Sequence, residues 1–288
     1  MSPLPFVLVL ALAQTAAAEV LTREVSVGVS TKDGGTVDDL TAADFEIEED
    51  GKKRAVLGIA RDQRPVDVAL ILDSSQAMGN EYATTLVPAA MEFWRALPEW
   101  TRLTVWTCGG RAFQAVEFGV DPEAGEGLLR KIATGGYPQT LETMIQASSD
   151  LQEEPLARRV VVAVTGDSIP HDQTVVEGTL RAIPEAQAMP VVVLITGGGG
   201  FRFSGRGISW EVAPFFNTVT KAYGGGHDVV VDPGSAAGLL KRTAAELTSQ
   251  YLIRFESESE HPTRPDVKVD RKDVRARAGL AMLAAPEQ

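Results

Sequence analysis

Oxygen-bearing side chains occupy three predicted loops beside the strands of this sequence. They are Asp73 and Ser75 in the first loop, Thr140 and Thr143 in the second, and Asp167 in the third. In a doubly wound sheet, ligands gather at the carboxyl ends of the strands. Side chains of the same types also cap helices and satisfy loop amides. The three loops are therefore where we expect either a ligand site or a set of local caps.

The sequence offers few other groups for catalysis. Its three histidines, His171, His227 and His261, are far apart and lack the spacing of metal ligands. No Gly-x-Ser-x-Gly turn and no P-loop occurs. The single cysteine, Cys108, lies in an apolar run, which predicts a small buried strand residue. These observations favour a protein that is not an enzyme, with an uncharacterised enzyme as the alternative.

The three loops belong to a segment in which strand and helix patterns alternate. Apolar runs predict strands at 66–72, 103–108, 159–164, 190–196 and 229–231, and an antiparallel neighbour at 112–118. Helical spacing predicts helices at 82–97, 126–132, 141–151, 175–183, 212–222 and 236–249. Pro184 is expected to end the fourth helix. This alternation predicts an α/β fold with a doubly wound, mainly parallel sheet.

Both ends of the sequence have a different pattern. Alternation of apolar and polar residues predicts strands at 24–30, 45–49 and 54–59, and again at 251–255, 267–269 and 274–277. Pairing the two sets would satisfy their backbone groups and bury their edges. We therefore predict one small all-β domain formed from the N- and C-terminal flanks.

The loop after the first core strand reads Asp-Ser-Ser-Gln-Ala-Met-Gly from Asp73 to Gly79. Here the core, from about 66 to 249, resembles the von Willebrand factor type A (VWA) family. That family opens its metal-ion-dependent adhesion site with Asp-x-Ser-x-Ser. Asp73 and Ser75 match this motif, whereas Ala77 stands where the second Ser belongs. A methyl group cannot coordinate a hard cation, which prefers oxygen ligands.

The resemblance implies two further ligands. One is a Thr in a Gly-rich loop before a helix, for which Thr140 and Thr143 compete. Thr143 has the apolar neighbour that the family prefers and is favoured slightly, whereas Thr140 lies nearer the glycines. The other is an Asp that the family carries as Thr-Asp-Gly, but this chain has Gly166 before Asp167. The resemblance thus implies a degenerate site for Mg²⁺, Mn²⁺ or Ca²⁺, whose open coordination position accepts a carboxylate from a partner protein.

The flanks narrow the resemblance. Leu-Thr-x-x-Asp-Phe at 40–45, Glu-Asp-Gly-Lys at 49–52 and the tail from Tyr251 are similar to a bacterial exported group of VWA-related proteins. This likeness extends over nearly the whole sequence after residue 18. The group implies no established activity.

The N-terminus and the charge indicate the compartment and the partner class. The apolar run at 5–13, followed by Ala16-Ala17-Ala18, predicts a signal peptide at 1–18, with an uncleaved anchor as the alternative. We therefore expect a secreted or periplasmic protein without membrane insertion after cleavage. The formal net charge is −12, which argues against nucleic acid and against an anionic membrane surface as partner.

These observations combine into one predicted organisation. A signal peptide at 1–18 precedes an N-terminal β segment at 19–62, a VWA-like α/β domain at 63–250 and a C-terminal β segment at 251–288 that packs with 19–62. The predicted function is binding of another protein, as an adhesion or scaffold module. The alternative is a purely structural scaffold without metal.

Overall fold

The structure is a computed structural model that describes residues 20–31, 35–154, 158–166, 172–197 and 212–284. The predicted signal peptide lies outside the described residues. The strands of the protein are β1 (Leu21–Thr31), β2 (Phe45–Glu49), β3 (Lys52–Arg54), β4 (Val56–Arg61), β5 (Val66–Leu72), β6 (Thr101–Thr107), β7 (Phe113–Val116), β8 (Arg158–Thr165), β9 (Ala188–Ile195), β10 (Gly226–Val230), β11 (Tyr251–Ser257), β12 (Asp266–Val269), β13 (Val274–Ala278) and β14 (Met282–Leu283). Its α-helices are α1 (Val87–Ala96), α2 (Pro122–Leu129), α3 (Thr140–Glu153), α4 (Gln173–Glu185), α5 (Val212–Ala222) and α6 (Ser235–Thr248).

A six-stranded sheet forms the centre, in the order β10-β9-β8-β5-β6-β7. All its pairs are parallel except β6 with β7. Alternate residues of β5 bury against opposite layers: Leu70 packs with α1 and α6, and Ile71 packs with α3 and α5. Helices on both faces explain why β5, β8 and β9 are mostly apolar. The predicted doubly wound, mainly parallel sheet is confirmed.

The two ends of the chain combine in antiparallel sheets beside this core. One has the order β13-β1-β11-β4, with β14 also paired to β1, and a three-stranded sheet has the order β12-β2-β3. Strand β1 lies between two C-terminal strands, so the N-terminal flank is held by the C-terminal one. Val25, Ile47 and Phe255 bury completely in the cluster between these sheets. The predicted β-domain built from both flanks is confirmed.

Three local predictions differ from the structure. The predicted strand 54–59 is divided into β3 and β4. The predicted helix 82–97 begins with a π-helical turn, Tyr82–Leu86, before α1. Pro184 lies inside the last turn of α4, because its fixed φ suits a helix and only one backbone donor is lost. The left-handed φ of 55° at Gln187 ends that helix instead.

A buried carboxylate joins the core to the flanking sheets. Asp62, only 3% exposed, accepts hydrogen bonds from Ser26 Oγ at 2.6 Å and from Arg64 Nη2 at 2.8 Å. Arg158 Nε lies 3.6 Å from Asp62 Oδ1. Burial raises the pKa of the Asp62 carboxyl, but the hydrogen bond from Arg64 and the charges of Arg158 and Arg64 outweigh it, so this pKa lies below its ordinary value. The junction is therefore an ionised network rather than an apolar contact.

None of the described helices is both long enough and apolar enough to cross a bilayer.

Candidate functional site

Asp73 lies at the carboxyl end of β5, completely buried between β5 and β8. Its Oδ1 accepts a hydrogen bond from Ser75 N at 2.8 Å. Its Oδ2 accepts from Gly166 N at 2.8 Å and from Thr165 Oγ1 at 3.2 Å. A buried carboxylate needs such donors, because desolvation without them is costly. Asp73 thereby ties the loop after β5 to the end of β8.

The two candidate threonines of α3 point to different places. The hydroxyl of Thr140, the first residue of α3, lies 2.8 Å from that of Thr165. Because Thr165 donates its one proton to Asp73, Thr140 donates to Thr165. Thr143 instead donates to the carbonyl of Gln139 at 2.7 Å, one turn back in its own helix. Hydrogen bonds among the described residues therefore connect Thr140 to Asp73 through Thr165, whereas the hydroxyl of Thr143 is bonded at the start of its own helix.

Ser75 and Ala77 complete the loop after β5. Ser75 is completely buried, and its Oγ accepts a hydrogen bond from Ala77 N at 3.2 Å. A Cβ placed on Gly166 would lie 2.4 Å from Met78 Cε, 3.6 Å from Ala77 Cβ and 3.6 Å from Asp73 Oδ2. Ala77 Cβ, Met78 Cε and Asp73 Oδ2 thus all lie close to Gly166, and Ala77 has a methyl group where the motif described above has a hydroxyl. Asp167 lies outside the described residues.

Backbone contacts lock three loops together beneath this site. A Cβ at Gly109 would lie 2.5 Å from the carbonyl oxygen of Ser74, and one at Gly136, where φ is 68°, would lie 2.6 Å from Gly110 Cα. Gln76 N donates to Gly136 O at 3.0 Å, and Ser74 Oγ accepts from Gly109 N at 3.0 Å. Glycine permits this approach because it has no side chain. The loops after β5, after β6 and before α3 therefore form one connected surface.

Sequence reasoning missed Thr165 as a participant. The feature that could have identified Thr165 is its position as the last residue of a buried strand, next to the strand that Asp73 follows. Cys108, predicted to be a small buried strand residue, is buried directly after β6, and its Sγ lies 3.7 Å from Thr140 Oγ1.

Hydrogen bonds within the chain occupy several of the oxygen atoms that a Mg²⁺ ion would need at this site. Asp73 already accepts three hydrogen bonds, Ala77 supplies a methyl group, and the Thr140 hydroxyl is engaged with Thr165. Within the described ranges, no three His, Cys, Asp or Glu side chains cluster as metal ligands. Mg²⁺ requires near-octahedral oxygen coordination. Among the described residues, Asp73, Thr165 and Thr140 form one polar network at the carboxyl edge of the sheet.

Exposed aromatic and cationic side chains surround the same loops. Tyr137 is 58% exposed in the loop before α3, and its carbonyl accepts from Gly110 N at 2.8 Å. Phe113, on β7, is 43% exposed, and the guanidinium of Arg111 lies 5.7 Å from its ring centroid. Gln76 is exposed in the loop after β5. We call Gln76, Arg111, Phe113 and Tyr137 the binding rim.

No protein-family model matches the sequence, and no curated protein matches it either. Among solved structures, a von Willebrand factor type A protein from Catenulispora acidiphila is similar with a TM-score of 0.51 and 13% identity, covering 93% of this chain and 75% of that one. The conserved hypothetical protein BatB from Bacteroides thetaiotaomicron has a TM-score of 0.49 and 14% identity, covering 64% of this chain and 100% of that one. The first likeness extends over both the core and the flanks. The chain therefore has a VWA-like fold with flanking β elements.

Proposed function

We propose that this chain is an exported module that binds another protein through the binding rim, and that its degenerate metal-ion-dependent adhesion site acts mainly to hold the rim in shape. The observation that carries the proposal is the connection of exposed rim loops to the buried network of Asp73, Thr165 and Thr140. In this proposal the chain performs no catalytic step.

The composition of the rim suits a protein partner. Tyr, Phe and Arg are enriched in the centres of protein–protein interfaces, where they supply large contact areas at little entropic cost. The rim combines these types, and the glycine contacts beneath it make the loops rigid before a partner arrives. Preorganised loops lower the entropic cost of association.

We also propose that this site binds a divalent metal ion only weakly. Asp73, Ser75 and either Thr140 or Thr143 would be the ligands, with Asp167 as a further candidate. The satisfied hydrogen bonds around Asp73 favour weak or absent Mg²⁺ affinity, so partner binding should persist in the presence of a chelator.

The proposed secreted or periplasmic location has a direct test. N-terminal sequencing of the mature protein should find Glu19 as the first residue. Recovery of the chain from the membrane fraction with Met1 retained would favour the anchor instead.

Site-specific crosslinking tests the rim. A photoreactive phenylalanine analogue at position 137 should crosslink to one protein in an envelope extract, whereas the same analogue at Trp100 should not. Trp100 is the matched control because it is 45% exposed and precedes β6, at the opposite end of the sheet. Arg111→Ala should abolish the crosslink, and a chelator should leave it unchanged. Equal crosslinking from both positions, or none from position 137, would contradict the proposal.

A further inference from the structure

A polar cleft of about 560 Å³ lies between the core and the flanking sheet, away from the binding rim. Strands β1 and β13 form one wall, α6 forms the other, and Val191 and Asp228 lie at its base. Its volume is within the range of small-molecule sites, roughly 300–1,000 Å³. The cleft thus has the size of a ligand site, and its lining decides the class of ligand.

The flanking-sheet wall carries two arginines on one face. Arg275 and Arg277 are two residues apart on β13, so their side chains project to the same side. Their cross-strand partners on β1 are Ser30 and Gly28. A Cβ at Gly28 would lie 2.6 Å from Glu246 Oε1, so the glycine leaves room for the α6 side chain.

The α6 wall presents a third arginine. Leu239, Arg242, Thr243 and Glu246 recur with helical spacing on the face toward the cleft. Glu246 Oε2 lies 3.2 Å from Arg277 Nη1, and this ion pair connects the two walls. The pair holds Arg277 in place across the cleft.

Thr31 and Thr243 of the cleft bond to nearby backbone groups, whereas two arginines and two other hydroxyls have no such partner in the described part of the chain. Among the residues that the structure describes, Arg242 and Arg275 form no ion pair, and the hydroxyls of Ser30 and Thr36 form no side-chain hydrogen bond. Three arginines outnumber two carboxylates in the cleft, whereas acidic residues outnumber basic ones 39 to 27 in the sequence. This local reversal of charge places solvent-exposed guanidinium groups on both walls of the cleft.

We propose that this cleft binds a small oxyanion with several negative charges, carried on phosphate or carboxylate groups. Arginine guanidinium groups bind both kinds of group through paired, charge-assisted hydrogen bonds. Arg242 and Arg275 approach the ligand from opposite walls, and Ser30 and Thr36 supply neutral donors. The bound anion would stabilise the contact between the core and the flanking sheet.

Calorimetry on the mature chain tests this site. Inorganic pyrophosphate and citrate are titrated separately, at constant ionic strength and without divalent cations, against wild type, Arg242→Gln, Arg275→Gln and Lys241→Gln. Lys241 is the matched control because it is an exposed neighbour of Arg242 on α6 that does not line the cleft.

We expect saturable binding of pyrophosphate, citrate or both, and the one that saturates identifies phosphate or carboxylate as the preferred group. Arg242→Gln and Arg275→Gln should each weaken binding about tenfold, as expected for loss of a charge-assisted hydrogen bond. Lys241→Gln should weaken it less than about twofold, because an exposed charge beyond the site is screened. No saturation with either anion, or equal weakening by Lys241→Gln, overturns the proposal. Because Arg242 is exposed on a helix, its variant remains informative if Arg275→Gln fails to fold.

Discussion

Two clusters of polar side chains in this molecule differ in how their groups are bonded: one surrounds Asp73 at the carboxyl end of β5, and the other lines the arginine cleft between α6 and β13. Around Asp73, each described hydroxyl or carboxylate is bonded to another part of the same chain. In the cleft, Arg242 and Arg275 lie exposed on opposite walls, and within the described ranges neither forms an ion pair. The site that resembles a known binding motif is therefore closed by its own hydrogen bonds, whereas a site without any motif is open.

This difference shows that a motif can have the residue types that binding needs while hydrogen bonds within the protein already occupy those residues. Asp73 and Ser75 have the identities that cation binding needs, but the amides and hydroxyls around them already use most of their lone pairs. The cleft residues form no recognisable sequence pattern, yet they have donors to offer. A ligand in the cleft would exchange hydrogen bonds with water, whereas a ligand at Asp73 would also have to displace hydrogen bonds within the protein.

Removal of residues 252–288 should have the largest effect, because it eliminates one of the two regions. The deletion takes away most of β11, which lies between β1 and β4, and exposes Val25 and Ile47. We expect aggregation, or a melting temperature lower by about 10 °C or more, and complete loss of anion binding. Differential scanning calorimetry measures the change in melting temperature.

Removal of residues 284–288 alone is the control for this truncation and should change little. An unchanged melting temperature after the longer deletion would show that the two flanks do not form one folding unit with each other.

Asp73→Ala should have the next largest effect, because the Asp73 region is proposed to be structural. The substitution leaves the amides of Ser75 and Gly166 and the hydroxyl of Thr165 without their acceptor. Buried donors without partners cost about 1–3 kcal/mol each, so we expect a loss of about 3 kcal/mol or more in the free energy of unfolding. Urea titration measures it, with Asp73→Asn as the milder control. An Asp73→Ala variant with an unchanged free energy of unfolding would mean that the region is not structural.

Asp62 at the junction should make the stability of the protein depend on pH. Its folded-state pKa is lowered, so its contribution is complete above the unfolded pKa of about 4 and is lost as the pH falls through the folded pKa. Asp62→Asn should cost about 2 kcal/mol at pH 7, the scale of a hydrogen bond to a charged group. The difference between the variant and wild type should shrink in acid. A difference that stays constant from pH 7 to pH 3 would assign the effect to packing instead of charge.

Ala77→Ser should have the smallest effect. It tests most directly whether the Asp73 region can bind a metal ion once the missing hydroxyl is present. The hydroxyl restores the missing ligand of the family motif, and calorimetry should find Mg²⁺ or Mn²⁺ binding tightened by a few fold from a weak or undetectable start. Ala83→Ser, at an exposed position in the turn before α1, is the control. Tight binding by wild type with no change in Ala77→Ser would mean that the site is intact in another form.

Much of the fold could be predicted because its strands carry simple patterns. The run Val66–Leu72 is buried on both faces and is apolar except for Asp67, and the alternation in Phe45–Glu49 matches a strand with one buried face. The π-helical turn at Tyr82–Leu86 could not be predicted, since its apolar spacing is compatible with an ordinary helix. Pro184 was predicted to end α4 but lies inside its last turn, because a proline near the end of a helix interrupts only one hydrogen bond.

The sites were harder to predict than the fold. The choice between Thr140 and Thr143 depends on where α3 begins relative to Thr165, a distance between two segments that spacing along the chain does not encode. The cleft combines residues from β1, β10, α6 and β13, which are separated by up to about 250 positions in sequence. Its one visible signal was the alternation of Arg275 and Arg277, which indicates a shared face but not what lies opposite.

The pairing of β1 with β14 determines how the protein would respond to mechanical tension. Arg23 and Leu283 are cross-strand partners in an antiparallel ladder, so the outer ends of the first and last described strands emerge at one corner of the flanking sheet. Pulling these ends apart opens the ladder one hydrogen bond after another instead of shearing many at once. The core sheet lies outside this line of force. We therefore expect the flanking sheet to peel away at low force while the core remains folded.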